Sequence, residues 1–309
     1  MKIYDDLTPS FGDSAVALGS FDGLHIGHKE VISAAVAGKE QGLVPTVLTF
    51  AQNPLTDLGG SAGGEIITKQ QKVDLLSDFG VEQLYILKFS HIKSLTPEEF
   101  VDQILVRVCH AKEVCCGFNF TFGCGGKGNS QLLSQLCKER GIRTAVAGAV
   151  LFDGEPVSST RIRGMIVSGE MDKAAALLGR PYGYRSEVQH GRQIGRELGT
   201  PTVNQAIPPD FVLPLFGVYA SKVYFEGKEY VGVTNVGVNP TIGKTVALAE
   251  TWIPDYHGSD FYGKMIRVDL IQFLRPEQKF PGLPELKAQI LNDGVVAKAF
   301  FEEHEQYFK

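Results

Sequence analysis

The stretch "SAVALGSFDGLHIGHKEVISAAV" (residues 14–36) starts as an unbroken apolar run, passes through a glycine-rich turn carrying two histidines, and ends with Val31, Ile32 and Ala35 at helical spacing. A short apolar run followed by a 3.6-residue period reads as a buried strand feeding a helix. In open α/β sheets ligands bind at the carboxyl end of such strands. The N-terminus of a helix presents unpaired N–H groups and about half a positive charge, which favours an anion. His25 and His28 are three apart and share a helical face, while Gly19, Gly23 and Gly27 allow close approach of backbone. The turn therefore reads as a phosphate site with two imidazole donors, and Phe21 lies inside it. Two other readings stay open: a histidine pair waiting for a third metal ligand, and histidines that merely start a helix.

Outward from this turn the pattern repeats. "LVPTVLTF" (43–50), "EQLYILKF" (82–89), "KEVCCGFNF" (112–120) and "RTAVAGAVLF" (143–152) are short apolar runs that read as strands. "GHKEVISAAVAGKEQG", "TKQQKVDLLSDFG", "TPEEFVDQILVRVCH" and "NSQLLSQLCKERG" read as helices between them. Thr68 and Thr96 suit N-caps, Thr96 with Pro97 next and Glu99 three on, and Gly42, Gly80 and Gly141 suit C-caps. Alternating strand and helix predicts an α/β fold with a doubly wound parallel sheet.

From about Tyr184 the period changes to two. "GVYASKVYFEGKEYVGVTNVG" and "KMIRVDLIQFL" alternate, with "EGKE" (226–229) as a hairpin turn. This predicts an antiparallel, barrel-like second domain, closed by an amphipathic helix "LPELKAQILNDGVVAKAFFEEHEQYF" with a break at Asp293-Gly294. We place the domains at 1–181 and 182–309. In "GRQIGRELGTPTVNQ" (191–205), Thr202 and Asn204 would share one face of an extended strand. Their oxygens could hold Mg2+ between phosphates, with Gly195 and Gly199 letting backbone N–H groups wrap them. Taken alone, the segment is equally a turn and an edge strand.

Composition narrows the function classes. The 309 residues are 43% hydrophobic and 21% charged, with a formal net charge of -5. Up to residue 181 there are 17 basic against 20 acidic residues, and beyond it 13 against 15, so neither half is a basic nucleic-acid platform. No apolar run reaches the roughly 20 residues of a membrane span, and "MKIYDDLTPS" lacks the features of a signal peptide, so we expect a cytoplasmic protein. Five cysteines without a C-x-x-C spacing indicate neither a disulfide framework nor a zinc site. "GCGGKG" (123–128) satisfies G-x-G-x-x-G, but it follows the fourth apolar run rather than the first and has Arg143 where an acidic residue belongs. Lys127 is followed by Gly128, so it is not a P-loop either; we read a mobile glycine-rich loop over the active site.

"GSFDGLHIGH" resembles the H-x-G-H signature of the nucleotidyltransferase superfamily, and "VSSTRIR" (157–163) is similar to its I-S-S-T-x-x-R signature. With "GFNFTFG" (117–123), these point to the FMN adenylyltransferase module of bacterial bifunctional FAD synthetases. "GRQIGRELGTPTVNQ" resembles the riboflavin kinase motif G-R-x-L-G-F-P-T-A-N, followed in order by "GVYA", "NVGVNPTIG", "AETWIPDY" and "FYGKMIRVDLIQFLRPEQKF". The resemblance implies phosphorylation of riboflavin to FMN by the second domain and adenylylation of FMN to FAD by the first, with riboflavin, FMN and ATP as small-molecule substrates and Mg2+ as cofactor; neither nucleic acid nor a membrane is expected as a partner. It implies that His25 and His28 serve the triphosphate, that Ser159 and Thr160 contact phosphate, and that Arg163 clamps it. It also puts Asn119 in the nucleotide and metal site, and makes Glu250 the base for the ribityl 5'-hydroxyl. Arg275 and Glu277 are expected to form an ion pair anchoring the last strand to the terminal helix, and Trp252 to pack.

Two positions depart from the family pattern: Asn53 stands where T-F-x-P-H-P has histidine, and Thr200 where the kinase motif has phenylalanine. They motivate one alternative, a flavin-binding or regulatory protein with one impaired site. Another is an adenylyltransferase for a different phosphate.

Overall fold

The structure, a computed structural model, describes all residues except 52–53, 55–62, 191–198, 242–243, 257, 259–260 and 305–309, and it describes only the backbone of 239–241 and 244–246. Asn53 and Gly195 lie outside the described residues. By packing the chain divides into Met1–Ser159 and Thr160–Lys309.

The first unit contains β1 (Lys2–Tyr4), β2 (Ser14–Leu18), β3 (Val44–Phe50), β4 (Gln83–Leu87), β5 (Ala111–Gly117), β6 (Thr121–Phe122), β7 (Gly128–Asn129), β8 (Arg143–Ala147), β9 (Leu151–Phe152) and β10 (Glu155–Pro156). Six of them form a parallel sheet in the order β1-β4-β3-β2-β5-β8, with β2 near the middle. All five residues of β2 are buried, as an uninterrupted apolar run requires of a strand covered on both faces. Val16 and Leu18 point into the core with Leu48, Tyr85, Phe100, Ile104 and Leu133. The helices are α1 (Ile26–Ala37), α2 (Lys69–Asp78), α3 (Pro97–Glu99, continuing as a π-wound segment over Phe100–Val108) and α4 (Ser130–Glu139). Thr68 and Thr96 both form reciprocal capping boxes, with Gln71 and Glu99. Gly42, Gly80 and Gly141 all take the left-handed conformation.

Three sequence readings of this unit change. β1, three residues long, pairs with β4 and was not expected. "RTAVAGAVLF" is two elements, because β8 stops at Ala147 and Leu151 begins a small hairpin with β10. "GCGGKG" is the turn of a β6–β7 hairpin, tied down where the Cys124 N–H donates to the Leu95 carbonyl at 2.6 Å.

The second unit carries most of α5 (Ser159–Ser168), then α6 (Met171–Leu178), β11 (Tyr182–Gln189), β12 (Thr202–Ala206), β13 (Gly217–Phe225), β14 (Lys228–Thr241), β15 (Lys244–Trp252), β16 (Met265–Arg275) and α7 (Leu283–Glu303). The six strands close into a barrel, β11-β12-β15-β14-β13-β16, all pairs antiparallel. Closure removes the exposed edges that an open sheet would offer. The β13–β14 turn is Glu226-Gly227, both with positive φ, as a two-residue hairpin loop demands. α6 packs on β11 and β16, so the helices before residue 181 go with the barrel in packing.

α7 does not break at Asp293-Gly294. Both residues are used inside the helix. Asp293 accepts from Arg275 at the end of β16 through Nε (3.0 Å) and Nη2 (2.7 Å). A Cβ on Gly294 would lie 2.6 Å from the Trp252 ring, so glycine lets the helix lie against that indole. Arg275 thus anchors the strand to the helix as expected, but its partner is Asp293. Glu277 instead accepts from Asn235 Nδ2 on β14 at 3.3 Å.

Candidate active sites

The turn at the end of β2 is built around His25. It is the N-cap of α1, with extended backbone, and its Nδ1 accepts the His28 N–H at 3.2 Å. That bond needs a lone pair on Nδ1, so a neutral His25 carries its proton on Nε2. The two imidazoles stack with centroids 3.5 Å apart and planes 14° off parallel, and Phe21 meets His28 edge-on at 5.3 Å. A Cβ on Gly27 would crowd the His25 ring at 3.3 Å. Two imidazolium rings in this contact repel, so donors on both rings call for an anion beside them. Among the described residues no group of three or more His, Cys, Asp or Glu side chains is placed to hold a metal ion.

One more sequence-predicted residue meets the turn. Ser159, first residue of α5, donates to the Asp22 carbonyl at 2.9 Å, joining "VSSTRIR" to "GSFDGLHIGH". Thr160 follows it, and Arg163 sits one helical turn beyond Ser159, on the same helix face. β2 and β5 are neighbours, with Leu18 opposite Cys116, so Gly19 and the exposed Asn119 follow the carboxyl ends of adjacent strands.

Sequence reading missed two buried charges below the turn. Asp22 is buried and its Oδ1 accepts the Ile66 N–H at 3.0 Å. Lys72 on α2 is buried and its ammonium donates to the Ser20 carbonyl at 3.1 Å, a carbonyl that Thr49 Oγ1 also reaches at 2.8 Å. Burial holds the Lys72 pKa below the usual lysine value, against the opposing pull of the Asp22 and Glu65 charges.

In the barrel the site stands on strands. Asn204 on β12 lies directly opposite Glu250 on β15, which lies directly opposite Asn235 on β14. Opposed residues of antiparallel strands project to one face, with Cβ atoms about 5 Å apart. That face is outside the barrel, since Glu250 is exposed while Ala249 and Thr251 on either side are fully buried. Asn204 Nδ2 donates back to Thr202, to its carbonyl at 3.3 Å and its Oγ1 at 3.4 Å. The Thr202 and Asn204 side chains are therefore neighbours, and a hydroxyl and an amide oxygen are the kinds of donor that suit a hard divalent cation. Asn235 and Glu277 extend the row; Asn235 lies in a motif that sequence reading singled out, but only strand register joins it to Glu250. Gly199 precedes the strand with left-handed φ, and Thr200 is buried.

These two arrangements coincide with two family matches. The FAD synthetase family model matches residues 8–161 and the riboflavin kinase family model matches 178–301. The chain belongs to the family of bifunctional riboflavin kinase/FMN adenylyltransferases. Members of that name from Listeria monocytogenes and Bacillus subtilis are each 34% identical to it, covering 94% and 93% of this chain and 93% and 92% of theirs. The Escherichia coli K12 member is 32% identical over 93% of this chain and 92% of its own. A crystal structure described as a macrolide-efflux protein from Streptococcus pneumoniae has a TM-score of 0.87 at 31% identity, covering 96% of this chain and 98% of that one. Among the described residues, no helix of this family member is long and apolar enough to cross a membrane.

Proposed function

We propose that the chain makes FAD in two ATP-dependent steps: the barrel unit phosphorylates riboflavin to FMN, and the parallel-sheet unit transfers AMP from ATP to FMN with release of pyrophosphate. The observation that carries this reading is the coincidence of two family matches with two separate polar constellations, His25–His28–Ser159 and Thr202–Asn204–Glu250.

In the adenylyl step an FMN phosphate oxygen attacks the α-phosphorus of ATP, so the protein's work is positioning and charge neutralisation. His25, through Nε2–H with Nδ1 kept as the cap acceptor, and His28 donate to the triphosphate. Gly19, Phe21 and Gly27 shape the turn around it. Ser159 and Thr160 hold phosphate at the start of α5, Arg163 neutralises charge one turn on, and Asn119 lines the nucleotide site. Functionally, "VSSTRIR" belongs with this step, so we keep the functional boundary at 181/182.

In the kinase step Glu250 accepts the proton of the ribityl 5'-hydroxyl as the γ-phosphoryl group reaches that oxygen. Thr202 and Asn204 are the residues that would hold Mg2+; bound there, it would offset negative charge on the phosphates. Asn119 is the candidate for the metal that accompanies ATP in the other unit. Gly195 and Gly199 flank the phosphates. We place both reactions in the cytoplasm.

The test is a time course with riboflavin, ATP and Mg2+, the three flavins separated by chromatography. FMN rising first and FAD following is the expected result. FAD from neither riboflavin nor FMN would sink the reading.

A further inference from the structure

The turn that carries His25 is bent against its own preferences. Between residues 21 and 24, Phe21 (φ 47°), Gly23 (φ 78°) and Leu24 (φ 43°) are all left-handed, and two of these are not glycine. Non-glycine residues hold such angles only where surrounding contacts over-determine them. Four contacts do so here. Lys72 and Thr49 both donate to the Ser20 carbonyl, Ser159 donates to the Asp22 carbonyl, and the Asp22 carboxylate accepts the Ile66 N–H. Only Lys72 brings a positive charge.

We infer that Lys72 is a positioning residue for adenylyl transfer: its buried ammonium holds the Ser20 carbonyl at the entry to the strained turn, and so sets His25 at the N-cap of α1. This rests on the adenylyltransferase reading of the first unit and assigns that site a further member. The ammonium approaches from α2, whose start is fixed by the Thr68–Gln71 capping box, so its origin is rigid. A side chain that cannot donate there would remove one of the two bonds to the Ser20 carbonyl, two residues before the Asp22 carbonyl that Ser159 grips. A residue that only filled space would not be coupled to the turn in this way.

The test uses the full chain with Lys72→Met, Lys72→Gln and Lys72→Arg. Formation of FMN from riboflavin serves as the internal control, and FAD formation from added FMN as the readout. For Lys72→Met we expect kcat for FAD formation to fall about 10- to 100-fold, the cost of a misplaced catalytic group, with FMN formation and the thermal midpoint of the barrel unit unmoved. Lys72→Arg, which keeps the charge, should recover much of the loss. Should the Met variant not fold, Lys72→Gln, which is polar but neutral and too short to reach as lysine does, carries the same reading.

The 15N shifts of His25 report its tautomer whether or not FAD is made. They should show Nε2 protonated and Nδ1 accepting in the wild type, and lose that pattern in the neutral variants. A wild-type chain inactive on FMN would sink the functional reading and leave these shifts to decide the inference. Folded neutral variants with kcat and KM for ATP within twofold of wild type and unchanged His25 shifts would overturn it.

Discussion

In the first unit the groups proposed to meet phosphate hang on a turn; in the barrel they stand on strands. The turn's geometry is imposed from outside by Lys72, Thr49, Ile66 and Ser159, each 29 to 137 positions along the chain from the turn residue it bonds. The Asn204–Glu250–Asn235 row needs no such anchors, because pairing β12, β15 and β14 in register places it automatically. A turn can be shaped around a polyanion with backbone N–H groups and a helix dipole, but it must be held. A strand row comes already rigid, but it offers side chains only at fixed spacing.

The largest expected effects would separate the two. His28→Ala should cut FAD formation from FMN by about 10²–10³-fold, the usual cost of one transition-state donor, and leave FMN formation intact. Glu250→Gln should cut FMN formation by about 10²–10⁴-fold, the range of a general base, and leave FAD formation from supplied FMN intact. Chromatography of the flavins reads both. Loss of both activities in both folded variants would break the two-site comparison.

Next come the supports of the strand site. Asp293→Ala leaves Arg275 with no carboxylate at the end of β16, and breaking a buried pair costs about 3–5 kcal/mol; Arg275 retains some solvent, so we expect about 3. Trp252, the sole tryptophan, lies against Gly294, so its fluorescence follows denaturation of the barrel unit. FAD formation from supplied FMN should persist where that signal is already lost. Gly294→Ala is a smaller perturbation of the same contact. Alanine favours the helix by about 1 kcal/mol, while its methyl, 2.6 Å from the indole, costs about 1–3 kcal/mol of overpacking. The net should be a loss of up to about 2 kcal/mol, with a shifted Trp252 emission; a gain in stability would show that the helix yields freely there.

Sequence made the first unit's frame legible because β2 and β4 are buried along their whole length and β3 and β5 over their central residues, so each carries a short apolar run. β1 was invisible because Lys2–Tyr4 is too short and too polar to signal, and only its pairing with β4 makes it a strand. His25 and His28 were legible because helix spacing puts them together locally. Lys72 was not, since a lysine in the first turn of a helix looks like any solvated charge until the chain folds over it. The break expected at Asp293-Gly294 failed for a related reason. The local helix penalty of glycine is real, but the close approach of Trp252 and the Arg275 bond outweigh it. Glu277 was assigned to a helix pair because neither its partner Asn235 nor the strand register is written in local sequence.

The smallest effect concerns "GCGGKG", read from sequence as a loop over the active site and folded here as a β6–β7 hairpin. Cys124 in that turn is the one exposed cysteine of the five. Burial pushes Cys109 and Cys115 up to about 12, and Cys116 and Cys137 to about 11. At pH 8 almost none of those four is thiolate, the form that reacts, and they are shielded as well. Iodoacetamide should therefore modify about one thiol in the folded chain, at Cys124, and all five after denaturation, as mass spectrometry would show. The hairpin's tie to Leu95 runs through the Cys124 backbone, which alkylation of sulfur leaves alone. FAD formation should stay within about twofold of the unmodified enzyme. A larger loss, with FMN formation unchanged, would put the hairpin over the histidine turn and make the first site one that closes, in contrast to the open row on the barrel.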